Sequence, residues 1–425
     1  MSKIAVVGTG YVGLTTGAYL AHLGHRVVCA DVVPEKVERL SRGDLPIFEP
    51  GLDELVREGL DGGRLSFVLG AANAAEGAEF VFLCVQTPMG EDGSADMTYV
   101  TAAAQEISAG LEAEAIVINK STVPVGSTTL VERVIGRADV SVVSNPEFLR
   151  EGSAVHDCLN PDRIVIGASD QAAAIRVASL FERIKAPLIV TDPVSAETIK
   201  YASNAFLATK ISFVNTIANV CEAIGADVRE VILGMGYDKR IGFEFLKPGP
   251  GWGGSCFPKD SQALVKIADE AGYDFGLLKG VIEANREQQD RVVDKIEAMV
   301  GGELRGAVVA MWGLTFKART DDRRDSPAVT VARRLIERGA TVRAYDPTVS
   351  GPVPEVAVEV CGDPYAACEG AGVLAVLTEW DEFRWLDFSK IAGLLASPAI
   401  VDARNLLDPV PLRRRGFAYV GMGRS

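Results

Sequence analysis

A cysteine within a glycine-rich loop is the residue of this chain best suited to covalent chemistry. Residues 248–260 read Pro-Gly-Pro-Gly-Trp-Gly-Gly-Ser-Cys-Phe-Pro-Lys-Asp, which puts Cys256 close to Lys259 and Asp260. Glycines and prolines are needed where a backbone takes unusual angles or touches a ligand closely. A thiol in such a loop can act as a nucleophile. The alternative is an inert buried thiol, which describes the remaining cysteines well.

Two polar residues on a predicted long helix can assist such a nucleophile. Lys200 and Asn204 are four positions apart, so they share one face of the helix. Placed against a reactive carbon, the ammonium and the amide can stabilise a developing oxyanion. The ordinary alternative for Lys200 is a surface lysine whose aliphatic stem covers the core.

The start of the chain has the pattern of a dinucleotide-binding turn. An apolar strand runs into Gly8, Gly10 and Gly13 with the spacing GxGxxG, and Asp31 ends the next predicted strand. Gly8 permits a tight turn, Gly10 lets the backbone approach a pyrophosphate, and Gly13 lets the helix pack closely. Asp31 can bind ribose hydroxyls and would repel a 2′-phosphate, so NAD is favoured over NADP. The alternative is a glycine turn with a purely structural role.

The elements around these residues alternate between strands and helices in the first part of the chain, which predicts a doubly wound parallel sheet. The predicted strands are Ile4–Val7, Val27–Ala30, Phe80–Val85, Ala115–Ile118, Val140–Val143, Arg163–Gly167 and Leu188–Thr191. The predicted helices are Tyr11–Leu23, Val100–Leu111 and Ser127–Ile135. A long helix from Pro193 to about Cys221 and another over Phe275–Met299 flank the cysteine loop.

The alternation of strands and helices returns in the last part of the chain. Strands are predicted at Ala307–Met311, Thr341–Tyr345, Gly372–Leu377 and Ala399–Val401, with a helix at Val329–Arg338. The predicted fold is α/β, with two Rossmann-like doubly wound domains joined by a helical middle domain that contains a long central helix. The predicted domains are residues 1–192, 193–300 and 301–425. The two α/β parts share an architecture without a detectable sequence repeat.

Composition narrows the classes of function. The chain has 425 residues and a net charge of −14, which disfavours nucleic acid and anionic membrane surfaces as partners. Its seven cysteines are scattered and form no CxxC pair, which favours a reducing cytoplasm and gives no metal-binding pattern. No signal peptide or apolar run of membrane-spanning length is visible.

The motifs together resemble the UDP-glucose/GDP-mannose dehydrogenase family over almost the whole chain. They occur in the family's order: Val7–Gly13, Pro46–Leu52, Gln86–Pro88, Lys120–Gly126, Ser144–Gly152, Asn160–Gly167, Glu197–Leu207, Gly253–Asp260, Gly313–Lys317 with Arg324, and Asp402–Asn405. The resemblance implies an NAD-dependent enzyme that oxidises the C6 alcohol of a nucleotide sugar twice, through a thiohemiacetal and a thioester on Cys256. The implied substrate is UDP-glucose.

The resemblance also implies a role for each matching residue. Cys256 is similar to the nucleophile, and Lys200 and Asn204 resemble the oxyanion-stabilising pair. Asp260 and Glu147 resemble the groups that position water and move protons, and Thr122 resembles a contact to water and cofactor.

The implied contacts to the two ligands are more numerous. The cofactor contacts are Gly8, Gly10, Tyr11, Val12, Gly13, Asp31, Lys36, Thr87, Thr122, Glu151 and Arg324. The substrate contacts are Glu147, Phe148, Leu149, Lys200, Asn204, Arg240, Phe245, Leu246, Lys247, Gly253, Lys317 and Arg404. In the family the counterpart of Arg240 reaches the substrate of a neighbouring subunit, so a homodimer through the long central helix is implied.

Three alternatives remain open at this point. The first is the same chemistry on GDP-mannose or a UDP-N-acetylhexosamine, although the acetylated-sugar enzymes usually carry GGHC where this chain has Gly253-Gly254-Ser255-Cys256. The second is a single-step hydroxyacid dehydrogenase, which needs no cysteine. The third is a non-catalytic NAD-binding sensor, which needs neither Lys200 nor its partners. One departure from the family is Trp252, where Tyr or Phe is commoner, and another is Phe48, where Tyr is common.

Overall fold

The computed structural model describes residues 1–90 and 93–424. These residues form two units. The first consists of Met1–Ser203 with Gln262–Tyr273, and the second consists of Asn204–Ser261 with the chain from Asp274 onward. The boundary between the units falls within one long helix, and the three-domain division inferred from the sequence stays a prediction.

The first unit is built on an eight-stranded sheet. Its strands are β1 (Lys3–Val7), β2 (Arg26–Asp31), β3 (Leu65–Leu69), β4 (Phe80–Leu83), β5 (Ile116–Asn119), β6 (Ser141–Ser144), β7 (Ile164–Gly167) and β8 (Leu188–Thr191). Their order across the sheet is β3-β2-β1-β4-β5-β6-β7-β8. Neighbouring strands pair in parallel except β6 and β7, which pair antiparallel. β1, β4 and β5 are almost entirely buried, because helices cover both faces of the sheet.

Eight helices accompany this sheet. They are α1 (Tyr11–His22), α2 (Pro34–Ser41), α3 (Leu52–Asp61), α4 (Ala71–Ala75), α5 (Thr98–Ser108), α6 (Ser127–Ile135), α7 (Ala154–Leu159) and α8 (Gln171–Ser179). Buried apolar side chains form a core on each face of the sheet, one packed around Leu14 and Leu20 of α1 and the other around Val100 and Ile107 of α5.

The helical middle consists of α9 (Pro193–Ile224), α10 (Val228–Gly236), α11 (Phe257–Glu270) and α12 (Gly276–Met299). α9 is longer than the predicted helix by part of a turn at its C-terminal end, because nothing before Gly225 interrupts it. Among the described residues, no helix combines the length with the apolar character that crossing a bilayer requires.

The second unit contains a six-stranded, all-parallel sheet. Its strands are β9 (Val308–Trp312), β10 (Thr341–Tyr345), β11 (Glu359–Val360), β12 (Val373–Val376), β13 (Ala399–Asp402) and β14 (Ala418–Gly421), in the order β11-β10-β9-β12-β13-β14. Its helices are α13 (Pro327–Glu337), α14 (Pro364–Cys368), α15 (Phe388–Leu394) and α16 (Pro409–Arg414), with a 3-10 helix at Asp381–Trp385. The predicted fold class is confirmed, with the antiparallel β6–β7 pair as the one departure from an all-parallel first sheet.

Candidate active site

The dinucleotide turn lies between β1 and α1 and has the geometry that its glycines predict. Gly8 has φ of +94°, and a Cβ there would lie 2.7 Å from the carbonyl oxygen of Cys84. A Cβ on Gly13 would lie 1.9 Å from the carbonyl oxygen of Gly8, so only glycine lets α1 begin here. A Cβ on Gly10 would meet no atom of the described residues within 4 Å. Gly10 therefore faces open space, and no side chain caps the first N–H groups of α1.

Asp31 lies at the end of β2 and points back to this turn. Its carboxylate accepts hydrogen bonds from the Thr9 hydroxyl at 2.5 Å and from the Lys36 ammonium at 2.8 Å. Burial favours a higher pKa for Asp31, but the bonds from Lys36 and Thr9 hold its pKa below the usual value. An ionised carboxylate beside uncapped helix N–H groups fits the ribose and pyrophosphate of NAD. Lys36, a predicted cofactor contact, lies in this ion pair.

Other predicted cofactor contacts lie on loops at the carboxyl ends of the parallel strands. The Thr87 hydroxyl, after β4, donates to the carbonyl oxygen of Thr122, after β5, at 2.8 Å. The Tyr11 hydroxyl oxygen accepts from the backbone N–H of Gly152 at 2.9 Å, which ties α1 to the loop that carries Glu151. This edge of an open α/β sheet is where ligands bind.

Glu147 and Lys200 form a buried ion pair in the first unit. Their side chains are each 4% exposed, and the Lys200 ammonium donates to Oε1 of Glu147 at 2.8 Å. The Leu149 N–H donates to Oε2 of the same carboxylate at 2.6 Å. Burial alone would raise the pKa of Glu147, but Lys200 and these bonds lower its pKa below the usual value. Glu147 is therefore a carboxylate at neutral pH.

Phe148 lies beside this pair, with the Lys200 ammonium 5.5 Å from the centroid of its ring. Sequence reasoning did not assign a role to Lys120, which is buried nearby and donates to the Asn145 amide oxygen at 3.1 Å. Burial lowers the pKa of Lys120, and its positive charge helps to lower the pKa of Glu147.

Asn204 and Asp260 meet in the second unit. The Asn204 amide nitrogen donates to the Asp260 carboxylate at 2.6 Å, and the Lys259 ammonium donates to its other oxygen at 2.6 Å. Asp260 is fully buried in the first turn of α11. The predicted partners of the nucleophile thus form two groups, Glu147 with Lys200 and Asn204 with Asp260, one in each unit.

Cys256 immediately precedes α11, and its carbonyl oxygen accepts from the Asp260 N–H at 2.8 Å. Its sulfur lies 3.5 Å from the Ser255 hydroxyl. Of the seven cysteines, Cys256 is the one that is partly exposed and the other six are buried. Burial raises the pKa of Cys84, Cys158 and Cys368 to about 12, which makes those thiols poor nucleophiles.

The predicted nucleotide-sugar contacts are partly brought together in the second unit. Arg404 donates to the carbonyl oxygens of Phe316 and Leu377, both at 2.8 Å, and pairs with Glu379 at 3.0 Å. The Lys317 ammonium lies 5.3 Å from the centroid of the Phe316 ring. Both predicted cations, Arg404 and Lys317, therefore contact Phe316.

The loop before the cysteine carries further predicted contacts. The ring of Phe245 lies 6.3 Å from that of Phe257, Leu246 is buried, and Lys247 is exposed. The structure does not bring Arg240 to these residues. Its side chain is 89% exposed and binds Asp238, two residues away. Arg324 likewise pairs with its near neighbour Asp322.

Sequence reasoning also missed Glu197, which lies three residues before Lys200 on α9. Its buried carboxylate accepts from the N–H groups of Gly126 and Thr128 at 2.6 and 2.9 Å, and so caps α6 and holds the loop that carries Thr122. The available signal was a carboxylate at an otherwise apolar helix position within a family motif.

These features define an NAD-dependent dehydrogenase with two doubly wound domains and a cysteine loop between its long helices. Family models match three segments of the chain. The NAD binding domain of the UDP-glucose/GDP-mannose dehydrogenase family matches residues 2–185, its central domain matches 194–287, and its UDP binding domain matches 310–409. The chain belongs to this family, as the sequence motifs predicted.

Individual relatives are similar over nearly their full length. The chain is 45% identical to a UDP-glucose 6-dehydrogenase of Bacillus subtilis, covering 100% of this chain and 94% of the relative. Its structure is similar to that of a UDP-glucose dehydrogenase from Pyrobaculum islandicum, with a TM-score of 0.91, 39% identity, and coverage of 100% and 98%. A UDP-D-ManNAc dehydrogenase from Pyrococcus horikoshii gives a TM-score of 0.89 at 28% identity, with coverage of 99% of both chains.

Proposed function

We propose that this chain oxidises the C6 alcohol of UDP-glucose to a carboxylate, giving UDP-glucuronate. The observation that carries the proposal is the exposure of Cys256, which is the one partly exposed thiol of seven and immediately precedes α11. A single-step dehydrogenase or an NAD-binding sensor does not need such a thiol. The similar Bacillus subtilis and Pyrobaculum islandicum enzymes support UDP-glucose as the substrate.

Bound NAD+ supplies the hydride acceptor for each of the two oxidations. After the first, the Cys256 sulfur forms a bond to C6 of the aldehyde, and the carbonyl oxygen becomes an oxyanion or takes up a proton. The Lys200 ammonium and the Asn204 amide donate hydrogen bonds to this oxygen and stabilise its charge. Loss of the second hydride leaves a thioester on Cys256.

Water then attacks the thioester carbon, the C–S bond breaks, and the thiol takes back a proton. Glu147 is a carboxylate at neutral pH because of Lys200, so it can accept the proton of that water. Asp260 orients the Asn204 amide through the 2.6 Å bond between them. The balance is one UDP-glucose, two NAD+ and one water, giving one UDP-glucuronate, two NADH and released protons.

The same chemistry on a UDP-N-acetylhexosamine or GDP-mannose is the nearest alternative. The similarity to the Pyrococcus horikoshii UDP-D-ManNAc dehydrogenase is 28% in identity, against 45% for the Bacillus subtilis enzyme. Ser255, where the acetylated-sugar enzymes usually have histidine, also favours the unacetylated sugar.

The proposal includes a homodimer through α9. Phe206, Phe213 and Val220 recur every seven residues along this helix and are 64%, 49% and 47% exposed. Such a stripe of large apolar side chains is typical of a helix that packs on a partner. Arg240, exposed and close in sequence, is then available to a neighbouring subunit's substrate. A cytoplasmic location, expected from the cysteine pattern, also stays a prediction.

The test is the NADH yield from limiting UDP-glucose, with the product identified by mass. Wild type is expected to give two NADH and one UDP-glucuronate per sugar, and Cys256→Ala is expected to form no acid. Cys361→Ala, which removes a buried thiol, serves as the matched control and should keep the yield of two. One NADH per sugar in the wild type, or acid formation by Cys256→Ala, would contradict the proposal.

For the dimer, Phe213→Asp is expected to convert the protein to a monomer in light scattering after size-exclusion chromatography. Exposed Ile175, on α8, gives the matched control Ile175→Asp, which should leave the dimer intact. A wild type that is monomeric at micromolar concentration would refute this part of the proposal.

A further inference from the structure

The nucleophile loop, residues 248–256, belongs to no strand or helix, yet buried side chains bind its backbone. The Gly249 N–H donates to the side-chain oxygen of Asn215, on α9, at 2.8 Å. The Gly249 carbonyl oxygen accepts from the side-chain nitrogen of Gln288, on α12, at 2.8 Å. Both amide side chains are 1% exposed. The loop is thus held here from two helices at once.

Trp252 is held more closely still. Asn285, on α12, accepts from the Trp252 N–H at 2.8 Å and donates to its carbonyl oxygen at 3.0 Å, as an adjacent strand would. The indole N–H donates to the Ser212 hydroxyl at 2.8 Å, and that hydroxyl donates to the carbonyl oxygen of Val281. Tyr or Phe is commoner at this position in the family. Trp252 therefore makes a bond to Ser212 through an indole N–H, a group that Tyr and Phe lack.

The residues of α9 in this arrangement share a face with Asn204. At about 100° per residue, Ser212, Asn215 and Asn219 fall on the same side of the helix as Asn204. Asn219 completes the arrangement by donating to the side-chain oxygen of Gln288 at 3.0 Å. One face of α9 thus carries the predicted oxyanion donor and the residues that bind the loop, while Phe206 and Phe213 lie on the opposite face.

The loop has little freedom between Trp252 and Cys256. A Cβ on Gly253 would lie 1.9 Å from the carbonyl oxygen of Asp325, and the Gly254 N–H donates to the carbonyl oxygen of Arg324 at 3.0 Å. Contacts on both sides of the chain therefore fix the backbone that leads into the nucleophile. A thiol that must meet a carbon at one distance and angle benefits from such restraint.

Burying four polar side chains costs free energy unless they are hydrogen-bonded, and these four bond to the loop backbone or to the indole of Trp252. We propose that Ser212, Asn215, Asn285 and Gln288, here called the loop clamp, are positioning residues for the reaction. The clamp fixes the loop so that the Cys256 sulfur captures the aldehyde before it escapes. This inference rests on the proposed function, because it concerns how the intermediate of that reaction is partitioned.

The test compares aldehyde escape between variants. Asn285→Leu removes both bonds to Trp252 at similar side-chain size. Trp252→Phe removes the indole N–H with part of the ring and keeps the two backbone bonds to Asn285. Free aldehyde, trapped with an aminooxy reagent, is expected to rise about tenfold in Asn285→Leu and about threefold in Trp252→Phe. The NADH yield per UDP-glucose should fall from two toward one, and the KM for UDP-glucose should change little.

Trp312→Phe is the matched control. The buried indole of Trp312, on β9, donates to the carbonyl oxygen of Pro364 at 3.0 Å, so the variant loses a similar bond away from the loop. It should lose stability with no change in aldehyde escape. Equal escape from Trp312→Phe and Trp252→Phe, or no increase in a folded Asn285→Leu, would overturn the proposal. Should Asn285→Leu fail to fold, Ser212→Ala and Trp252→Phe carry the test.

A second measurement separates this inference from the proposed function. Cys256 is the one partly exposed cysteine, so iodoacetamide labelling of its peptide reports on the loop without any turnover. Labelling is expected to be about tenfold faster in Asn285→Leu than in wild type or Trp312→Phe. Identical labelling rates would overturn the clamp even if the activity is as proposed. A wild-type NADH yield other than two refutes the activity and leaves the labelling result standing.

Discussion

Gly8 and Gly313 each follow the first strand of their own sheet, with φ of +94° and +97°. Each donates its N–H to a carbonyl oxygen on the second strand at 2.8 Å, to Ala30 in one sheet and Tyr345 in the other. The six strands β3-β2-β1-β4-β5-β6 have the same order as β11-β10-β9-β12-β13-β14. The two sheets thus share their strand order and the glycine turn that follows the first strand.

The acid that ends the second strand also occurs in both sheets, but its bonds differ. Asp31 binds Thr9 and Lys36 at the edge of the turn. Asp346 is 2% exposed and accepts from the N–H groups of Leu314 and Thr315 and from the indole of Trp380. The bonds of Asp346 hold a buried part of the fold together, whereas the Asp31 side chain is 10% exposed at the edge of the turn.

The helix that follows each turn differs as well. α1 begins directly after Gly10 with no side-chain cap, while α13 begins only at Pro327 and is capped by the Ser326 hydroxyl. The intervening segment of the second sheet, residues 314–326, instead supports the nucleophile loop and Arg404 through carbonyl oxygens of Arg324 and Phe316. Strand order alone therefore does not make a dinucleotide site. An uncapped helix start and an accessible acid are also needed.

The largest effect is expected from Asp346→Ala. It leaves the buried N–H groups of Leu314 and Thr315 and the partly buried indole N–H of Trp380 without this acceptor, which should lower the free energy of unfolding by about 4 kcal/mol. NAD+ affinity, measured by calorimetry on folded protein, should be unchanged. Chemical denaturation gives the stability, and a loss as small as that of Asp31→Ala would contradict the structural role assigned to Asp346.

Asp31→Ala should lower NAD+ affinity and leave stability almost unchanged, the opposite of Asp346→Ala. NAD+ affinity is expected to fall about tenfold or more, since a bond to a charged group is worth roughly 1.5–3 kcal/mol, with little loss of stability. The preference over NADP+ should narrow, because the carboxylate that repels the 2′-phosphate is gone. Wild type that uses both cofactors with equal efficiency would refute the role of Asp31.

Gly10→Ala is expected to weaken NAD+ binding about tenfold without changing the melting temperature. Among the described residues no atom lies within 4 Å of the new methyl group, so it occupies the space that the pyrophosphate requires. Gly313→Ala is the matched variant in the other sheet. Its methyl group would lie 2.3 Å from Cβ of Thr378, so it should lower the melting temperature and leave NAD+ affinity alone. A lower melting temperature for Gly10→Ala with weaker NAD+ binding by Gly313→Ala would contradict the assignment of the cofactor site to the first sheet.

The smallest effect is expected from Ser326→Ala, which removes the cap of α13. The cost should be about 1 kcal/mol in the free energy of unfolding, with NAD+ affinity unchanged. Thr330→Ala, one turn further along α13, is a suitable control because it leaves the cap intact. Equal losses of unfolding free energy in both variants would show that the Ser326 cap does not stabilise α13.

The sequence predicted the features that depend on local rules. GxGxxG with Asp31 predicted the turn, because φ angles and helix starts follow from a few neighbouring residues. The helix Ser127–Ile135 and the strands Leu188–Thr191 and Thr341–Tyr345 were predicted with the bounds that the structure has. Cys256 was recognised as unusual from its glycines, and it is the one partly exposed thiol.

Features that depend on distant residues were not predicted. β3, β11 and β14 were missed, because strands this short and only partly buried give a weak apolar pattern. Asn285 and Gln288 look like surface residues in the sequence, and only the fold shows that they bind the cysteine loop. From the sequence, Trp252 is only a departure from the family's usual Tyr or Phe, and the fold shows that it bonds to Ser212, 40 residues away.

The two hydrogen bonds between Asn285 and the Trp252 backbone should slow the exchange of amide protons with deuterated solvent. The N–H groups of Gly249 and Trp252 are buried and bonded to side chains of α9 and α12. These protons can exchange only when the hydrogen bonds to those side chains break, which requires α9 and α12 to move apart locally. In a deuterium-uptake experiment this loop should therefore behave as slowly as a strand in the middle of a sheet, although it pairs with none.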